Sequence, residues 1–270
     1  MYTLGFIGAG HMGSALMEGL LSGNVVSSAA ICAYDPDEKV RTSLAVKGVT
    51  VLESEAEVVS SSKIVILAVR PSDVKVVMEK IRDAVTVNNV IVSLAAGVTI
   101  SAAKKYLGKG CKLVRAIPNV ACEYGKGVTA MAYEMPITYQ ELETVKALFE
   151  SLGILRVVEE KKLNDYIAAA GSAAAYFYYM VKSVSEGAVA QGIDAETAEL
   201  IAAQVFLGAA KVMESSKKSA DELLSSVATP KGTTAEAINV MEKSGFSQVM
   251  ADAMLACTKR ANDMDIINQP

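Results

Sequence analysis

Along the first 158 residues, short apolar runs alternate with stretches of helical period. The runs are "YTLGFIG", "AAICAYD", "KIVILAV", "NVIVSLA", "CKLVRAI" and "ILRVV". They are rich in β-branched residues and apolar at nearly every position, so each is suited to burial on both faces, as a parallel sheet flanked by helices requires. The alternation predicts an α/β domain with a doubly wound, Rossmann-type sheet. After Lys162 the strand signals stop, and Ala-, Leu-, Met- and Glu-rich helical patterns continue to the end, punctuated by Gly192 and a turn at 227–233. The expected organisation is therefore an α/β domain over 1–162 and an all-α domain over 163–270, joined without a flexible tether.

The most apolar run, "YIAAAGSAAAYFYYMV" at 166–181, is bounded by Asp165 and Lys182. It is shorter than the roughly 20 residues a bilayer span needs. Its many small residues suit close packing, so it reads as a buried or intersubunit helix, and no membrane association is expected.

Composition narrows the class. The chain has 270 residues, 51% of them apolar and 21% charged, which is a folded protein with ample core. A net charge of −4 with mixed signs offers no electrostatic footprint for nucleic acid. Cys32, Cys111, Cys122 and Cys257 are widely spaced and form no Cys-x-x-Cys pair, so neither zinc nor a disulfide framework is indicated. Reduced thiols, and a strand beginning within the first few residues where a signal peptide would lie, make the cytoplasm the expected compartment.

The strongest local chemistry is in "TLGFIGAGHMGSALMEGLL". Gly8, Gly10 and Gly13 have GxGxxG spacing after a strand and before a helix, which is the context of a dinucleotide fingerprint. Gly8 would permit the tight turn, Gly10 the approach of a pyrophosphate, and Gly13 close helix–sheet packing, with the helix N-terminus facing the phosphates. The whole loop, Gly8, Ala9, Gly10, His11, Met12 and Gly13, is thus a candidate cofactor contact. Asp35, at the end of the second strand, would accept from the adenosine ribose hydroxyls and repel a 2′-phosphate, while Lys39 and Arg41 close behind would soften that repulsion. His11 is the single histidine, yet its place in the glycine loop puts it beside phosphate or solvent rather than at a reacting carbon.

Two further turns fall at strand ends, where a cofactor crevice should open. "LAVRPSDV" contributes Ala68, Val69, Arg70 and Pro71, and "RAIPNVACEYGKGVTA" contributes Asn119 as an amide on the nicotinamide side; both are also compatible with ordinary strand-ending turns. Late in the chain, "VATPKGTTAEAI" has two readings. Thr233 and Glu236 have capping-box spacing, and a helix start with free N–H groups is also an anion site.

Taken together, "GFIGAGHMG", the "AVRP" turn, "RAIPN" followed by "GVTA", "AAGSAAAY", "AAQVFLGAAKVM" and above all "VATPKGTT" resemble the pyrroline-5-carboxylate reductase family over essentially the full length. The resemblance implies a Rossmann domain followed by an α-helical dimerisation domain, interlocked with a second subunit and sometimes built into rings of dimers. It implies reduction of the C=N bond of 1-pyrroline-5-carboxylate to L-proline by NAD(P)H, with no metal. By the family pattern Thr234 bonds the ring nitrogen and is the catalytic position, Thr229 helps place the substrate, and the amides of Gly232, Thr233 and Thr234 bind its carboxylate. The proton source stays open between Thr234, water and a substrate bound already protonated.

The chain departs from the family pattern in places. Gly171-Ser172-Ala173-Ala174-Ala175-Tyr176 stands for Gly-Ser-Gly-Pro-Ala-Tyr, Pro118-Asn119-Val120-Ala121 for Pro-Asn-Thr-Pro, and Lys231 for one Gly of Pro-Gly-Gly. Glu55 falls where the family often has an Asn near the adenosine ribose, which with Asp35 leads to an expected preference for NADH over NADPH. Two alternatives remain at this point: a reductase of a six-membered cyclic imine acid, and a sensor that binds NAD(P)H without turnover.

Overall fold

The computed structural model describes residues 1–267. It divides into two compact units, Met1–Ser172 with the segment from Cys257 onward, and Ala173–Ala256.

The first unit runs β1 (Tyr2–Ile7), α1 (His11–Ser22), β2 (Ile31–Tyr34), α2 (Glu38–Val46), β3 (Thr50–Val51), α3 (Glu55–Ser61), β4 (Ser62–Leu67), α4 (Val74–Ile81), β5 (Val90–Ser93), α5 (Ile100–Leu107), β6 (Lys112–Ile117), β7 (Gly127–Tyr133), α6 (Tyr139–Glu150), β8 (Gly153–Val157) and α7 (Leu163–Tyr166). The eight strands form one sheet in the order β3-β2-β1-β4-β5-β6-β7-β8. Strands β1 to β6 are mutually parallel, and apart from the short edge strand β3 they are largely buried, as their apolar runs require. The order reverses between β1 and β4, and the crevice at their carboxyl ends is where such sheets bind ligands.

Helices cover both faces. Leu16, Met17 and Leu20 of α1 pack with Phe149 and Leu152 on one side, and Val77, Met78 and Ile81 of α4 pack with Val58 and Ala103 on the other. The sheet is not purely parallel, however. β7 runs antiparallel to β6, and β8 follows β7 in parallel. The reversal comes from a 3₁₀ turn at Val120–Tyr124 that ends on Gly125, whose φ of 64° is left-handed. The stretch "GVTA", expected to be loop, is the start of this strand.

The second unit holds α8 (Ala173–Ala190), α9 (Ala195–Ser216), α10 (Ala220–Val227), α11 (Thr233–Lys243) and most of α12 (Phe246–Ile267). Asp194 and Ser219 cap α9 and α10 by accepting backbone N–H groups, and Ser219 closes a capping box with Glu222. Phe177 and Phe206 stack edge to face at 5.3 Å between α8 and α9.

The geometric division at 172/173 lies past the sequence boundary at 162/163, and the end of α12 returns to the first unit. The cause is a polar cluster: Arg115 of β6 donates to Glu160, Asn164 and Asp265, and Asn164 donates to Asn262 and Asp265. No described helix is long and apolar enough to cross a membrane.

Candidate cofactor cleft and anion-binding turn

The glycine loop joins β1 to α1 at the point where the sheet order reverses. Gly8 has φ +87°, and a Cβ there would lie 2.8 Å from the Ala68 carbonyl oxygen. Gly13 brings α1 against the loop so closely that a Cβ would meet the Gly8 carbonyl at 2.5 Å. Gly10 differs from both, because nothing lies within 4 Å of where its Cβ would project. That open space, next to the partnerless amides of the first turn of α1, fits the pyrophosphate of a dinucleotide. His11 is exposed at the start of the helix, and Met12 is half-buried. Ala9 does not offer its amide, since that N–H donates to Asp35 Oδ2 at 2.8 Å.

Asp35 is therefore more than an exposed ribose acceptor. It is 8% exposed, and Oδ1 also accepts from the Asp37 N–H at 2.9 Å. The side chain ties the glycine loop to the β2 turn, with one acceptor site per oxygen still available for a ribose hydroxyl. Arg41 is fixed to the same turn, donating to the carbonyls of Asp35 and Pro36 at 2.8 and 3.0 Å.

Beside Gly8 lies a cleft of about 270 Å³ walled by Tyr34, Pro36, Val69 and Val77, with Glu55 and Lys80 along its edge. It sits on the β2 side of the glycine loop, where the adenosine half of a dinucleotide belongs. Glu55 is not an unpaired acid there. Its carboxylate meets the Lys80 ammonium at 2.8 Å, and that hydrogen bond and charge push the Lys80 pKa up. Ala68 and Val69 follow β4 directly, with the Ala68 N–H donating to the Ile7 carbonyl at 2.8 Å. Arg70 is exposed and points along the loop to Asp73 at 2.9 Å, and Pro71 is half-buried behind it.

Asn119 is engaged in the protein itself. Its Oδ1 accepts from the Val128 N–H at 3.1 Å, and its Nδ2 donates to the Ala170 carbonyl at 3.2 Å. The residue pins the end of β6 to β7 and to the π-helical turn Ile167–Gly171, leaving one amide hydrogen for any ligand. Arg115, four residues earlier, is 1% exposed and was missed by sequence reasoning as a separate centre. Its presence inside an apolar strand run was the available signal, since a buried charge requires partners.

In the second unit the turn before α11 chooses between its two sequence readings. The helix begins at Thr233 with Gly232 as N-cap and no side-chain cap bond. Thr233 and Glu236 thus occupy the first and fourth helical positions rather than N-cap and third, so the capping box does not form. The Gly232 N–H is also spent, donating to the Thr229 carbonyl at 2.9 Å. The amides with no helical partner are those of Thr233, Thr234 and Ala235. They stand beside the hydroxyls of Thr233 and half-buried Thr234, at the positive end of an eleven-residue helix.

Gly232 is required in this turn, because a Cβ would come within 2.9 Å of Thr229 Oγ1. Lys231 adopts φ +65°, the left-handed conformation a glycine would take at lower cost, and its side chain is exposed.

Burial pushes the thiols of Cys32, Cys111 and Cys122 up, making them poor nucleophiles at neutral pH. Among the described residues no group of His, Cys, Asp and Glu could hold a metal ion.

A doubly wound sheet with a GxGxxG loop at its switch point, followed by a helical unit with an uncapped helix start, is the architecture of a nicotinamide-dependent oxidoreductase. Residues 160–264 match the family described as pyrroline-5-carboxylate reductase dimerisation, and residues 3–97 match that described as NADP oxidoreductase, coenzyme F420-dependent. The chain is 31% identical to a pyrroline-5-carboxylate reductase of Methanosarcina acetivorans over 97% of both chains. It is 30% identical to that of Escherichia coli K12, again over 97% of both. Among solved structures, the NADP-bound pyrroline carboxylate reductase of Plasmodium falciparum superposes with a TM-score of 0.89 at 25% identity, covering 98% of each chain. That of Coxiella burnetii gives 0.88 at 28% identity, covering 97% of this chain and 98% of the other. The chain belongs to the pyrroline-5-carboxylate reductase family.

Proposed function

We propose that the protein reduces 1-pyrroline-5-carboxylate to L-proline, the last step of proline biosynthesis, as a homodimer or an assembly of dimers in the cytoplasm. The observation that carries the substrate assignment is the uncapped start of α11. A five-membered imino acid presents a carboxylate and a ring nitrogen a few atoms apart. The turn presents free amides for the first and the Thr234 hydroxyl for the second. Thr229, whose carbonyl closes the turn, and Gly232, whose small size permits it, hold these donors in place.

The cofactor supplies a hydride from its reduced ring. The imine nitrogen takes one proton, from Thr234, from water or already carried by the bound substrate, and the chain's own residues bind and orient the reactants. The loop Gly8–Gly13 binds phosphate, Asp35 and Glu55 face the adenosine ribose, Ala68 to Pro71 border the crevice, and Asn119 directs one remaining amide hydrogen towards the nicotinamide side. On the second unit, Thr233 and Thr234 amides hold the carboxylate, and Thr234 as hydroxyl donor or acceptor fixes the imine nitrogen and so the face presented to the hydride. Orientation of this kind supplies most of the rate, several kcal/mol of the barrier.

NADH is the proposed preferred donor. Support comes from the Asp35 carboxylate at the end of β2, since Glu55 is neutralised by Lys80 and adds little repulsion of its own. The test is steady-state loss of reduced nicotinamide absorbance with 1-pyrroline-5-carboxylate. Turnover with a higher kcat/KM for NADH supports both statements, a higher value for NADPH discards the preference alone, and no turnover with either discards the activity.

A further inference from the structure

Charges around the adenosine cleft come as neighbouring pairs of opposite sign. Glu55 meets Lys80 at 2.8 Å, and Asp73 meets Arg70 at 2.9 Å. Asp35 is bonded to the Ala9 and Asp37 amides, on a turn whose carbonyls hold Arg41. The pairs are not equivalent. Arg70 has an 83% exposed side chain and reaches only along its own loop. The Glu55–Lys80 pair bridges two helices, α3 and α4, with the Glu55 side chain 12% exposed and the Lys80 side chain 54% exposed. Both residues line the cleft, and one of the three Lys80 ammonium hydrogens is directed to Glu55.

The two possible occupants of that edge differ by one group. A ribose 2′-hydroxyl donates, which a carboxylate accepts; a 2′-phosphate brings close to two negative charges, which an ammonium attracts and a carboxylate repels. Glu55 and Lys80 therefore favour opposite cofactors from one location, and each cancels the other's charge.

We propose that Glu55 and Lys80 form a cofactor-selecting couple, in which Lys80 is the cation for a 2′-phosphate and Glu55 holds that cation in check. The couple rests on the reading that this cleft takes the adenosine half of a nicotinamide dinucleotide. It leaves the wild-type preference to Asp35 and lets single substitutions shift the enzyme's selectivity in either direction.

The experiment compares wild type, Lys80→Met, Glu55→Gln and the double variant, measuring kcat/KM for NADH and NADPH and the Kd of each by nucleotide fluorescence. Loss of Lys80 is expected to lower the NADPH/NADH ratio about tenfold and loss of Glu55 to raise it about fivefold, sizes ordinary for a close charge contact with phosphate. The double variant is expected to fall between them and to depart from additivity, as contacting residues do. A merely structural salt bridge would weaken both cofactors alike. Ratios that stay within about twofold of wild type in both single variants overturn the couple.

The two readings fail separately. Wild type preferring NADPH removes the role given to Asp35, while the ratio shifts still decide the couple. Wild type without turnover removes the activity, while the four pairs of Kd values still decide it.

Discussion

The two units bury their apolar residues to opposite degrees. In the first, Phe6, Leu67, Ile91 and Val114 are fully buried in a sheet covered on both faces. In the second, Ala198 and Ala202 are the only buried residues among those described, and Leu200, Val205, Val240 and Leu255 are 63–69% exposed. Helix propensity and capping keep such helices regular, but tertiary stability comes from burying an apolar face. The first unit carries its own core. The second leaves apolar side chains uncovered, in a segment that matches the dimerisation family, and each Leu or Val covered on association is worth about 1.5–3 kcal/mol.

The sharpest way to break that contrast is to charge the exposed face. Leu200→Asp with Val205→Asp should abolish the oligomer in sedimentation and reduce turnover to below about 1% of wild type, a loss well within the several kcal/mol of two buried side chains. Fluorescence titration should still show NADH binding by the first unit. A fully active monomer would mean that the second unit is complete alone.

Next in size is Thr234→Val, expected to lower kcat/KM for the imine about 100-fold, the loss typical of one oriented donor. Cofactor Kd should hold constant, so an equal loss of NADH affinity would remove Thr234 from the substrate turn.

Gly13→Ala works on the other unit. Its Cβ would meet the Gly8 carbonyl at 2.5 Å, so thermal or denaturant unfolding should report a loss of about 1–3 kcal/mol. NADH affinity should fall while the oligomer persists, and unchanged affinity would argue that the loop tolerates a wider gap.

A smaller effect tests the charged edge of the first unit. Burial opposes ionisation of Glu141, but hydrogen bonds from Lys112 and Thr138 outweigh it and hold its carboxyl below the ordinary value. A depressed folded pKa adds stability that is present above the ordinary carboxylate range and lost as pH falls through the folded value. Glu141→Gln keeps the capping geometry, should cost about 0.5–1 kcal/mol at neutral pH, and should make that difference vanish in acid. A difference that persisted at low pH would assign it to the cap and not the charge.

Of similar size but opposite sign, Lys231→Gly should stabilise the second unit by about 0.5–1 kcal/mol, the left-handed strain relieved less the added freedom of the unfolded chain. A destabilised variant would show that the Lys231 side chain is held by something the turn geometry does not reveal.

Much of the fold was legible because it is written in local period. The six apolar runs became β1, β2, β4, β5, β6 and β8, and the glycine spacing placed the loop at the switch point. What escaped was non-local or depended on a shift of one residue. β7 was hidden because its reversal depends on the turn at Gly125, which reads equally well as an ordinary loop. The capping box at Thr233 was disfavoured by a helix starting one position earlier than that box needs. Asn119 looked like a ligand amide and is mainly a clasp, since its partners at Val128 and Ala170 lie 9 and 51 residues away. Glu55 read as a bare acid because nothing in sequence pairs it with Lys80, 25 residues on.

Arg115 makes the first unit depend on a late segment of the chain. Its guanidinium is enclosed in β6, yet one of its carboxylate partners, Asp265, is 150 residues further on. Glu160 is the carboxylate partner nearer in sequence, and the second counter-charge comes only from beyond the helical unit. A chain lacking Asp265 would leave this buried guanidinium with Glu160 in place of two carboxylates, and the first unit less stable for it.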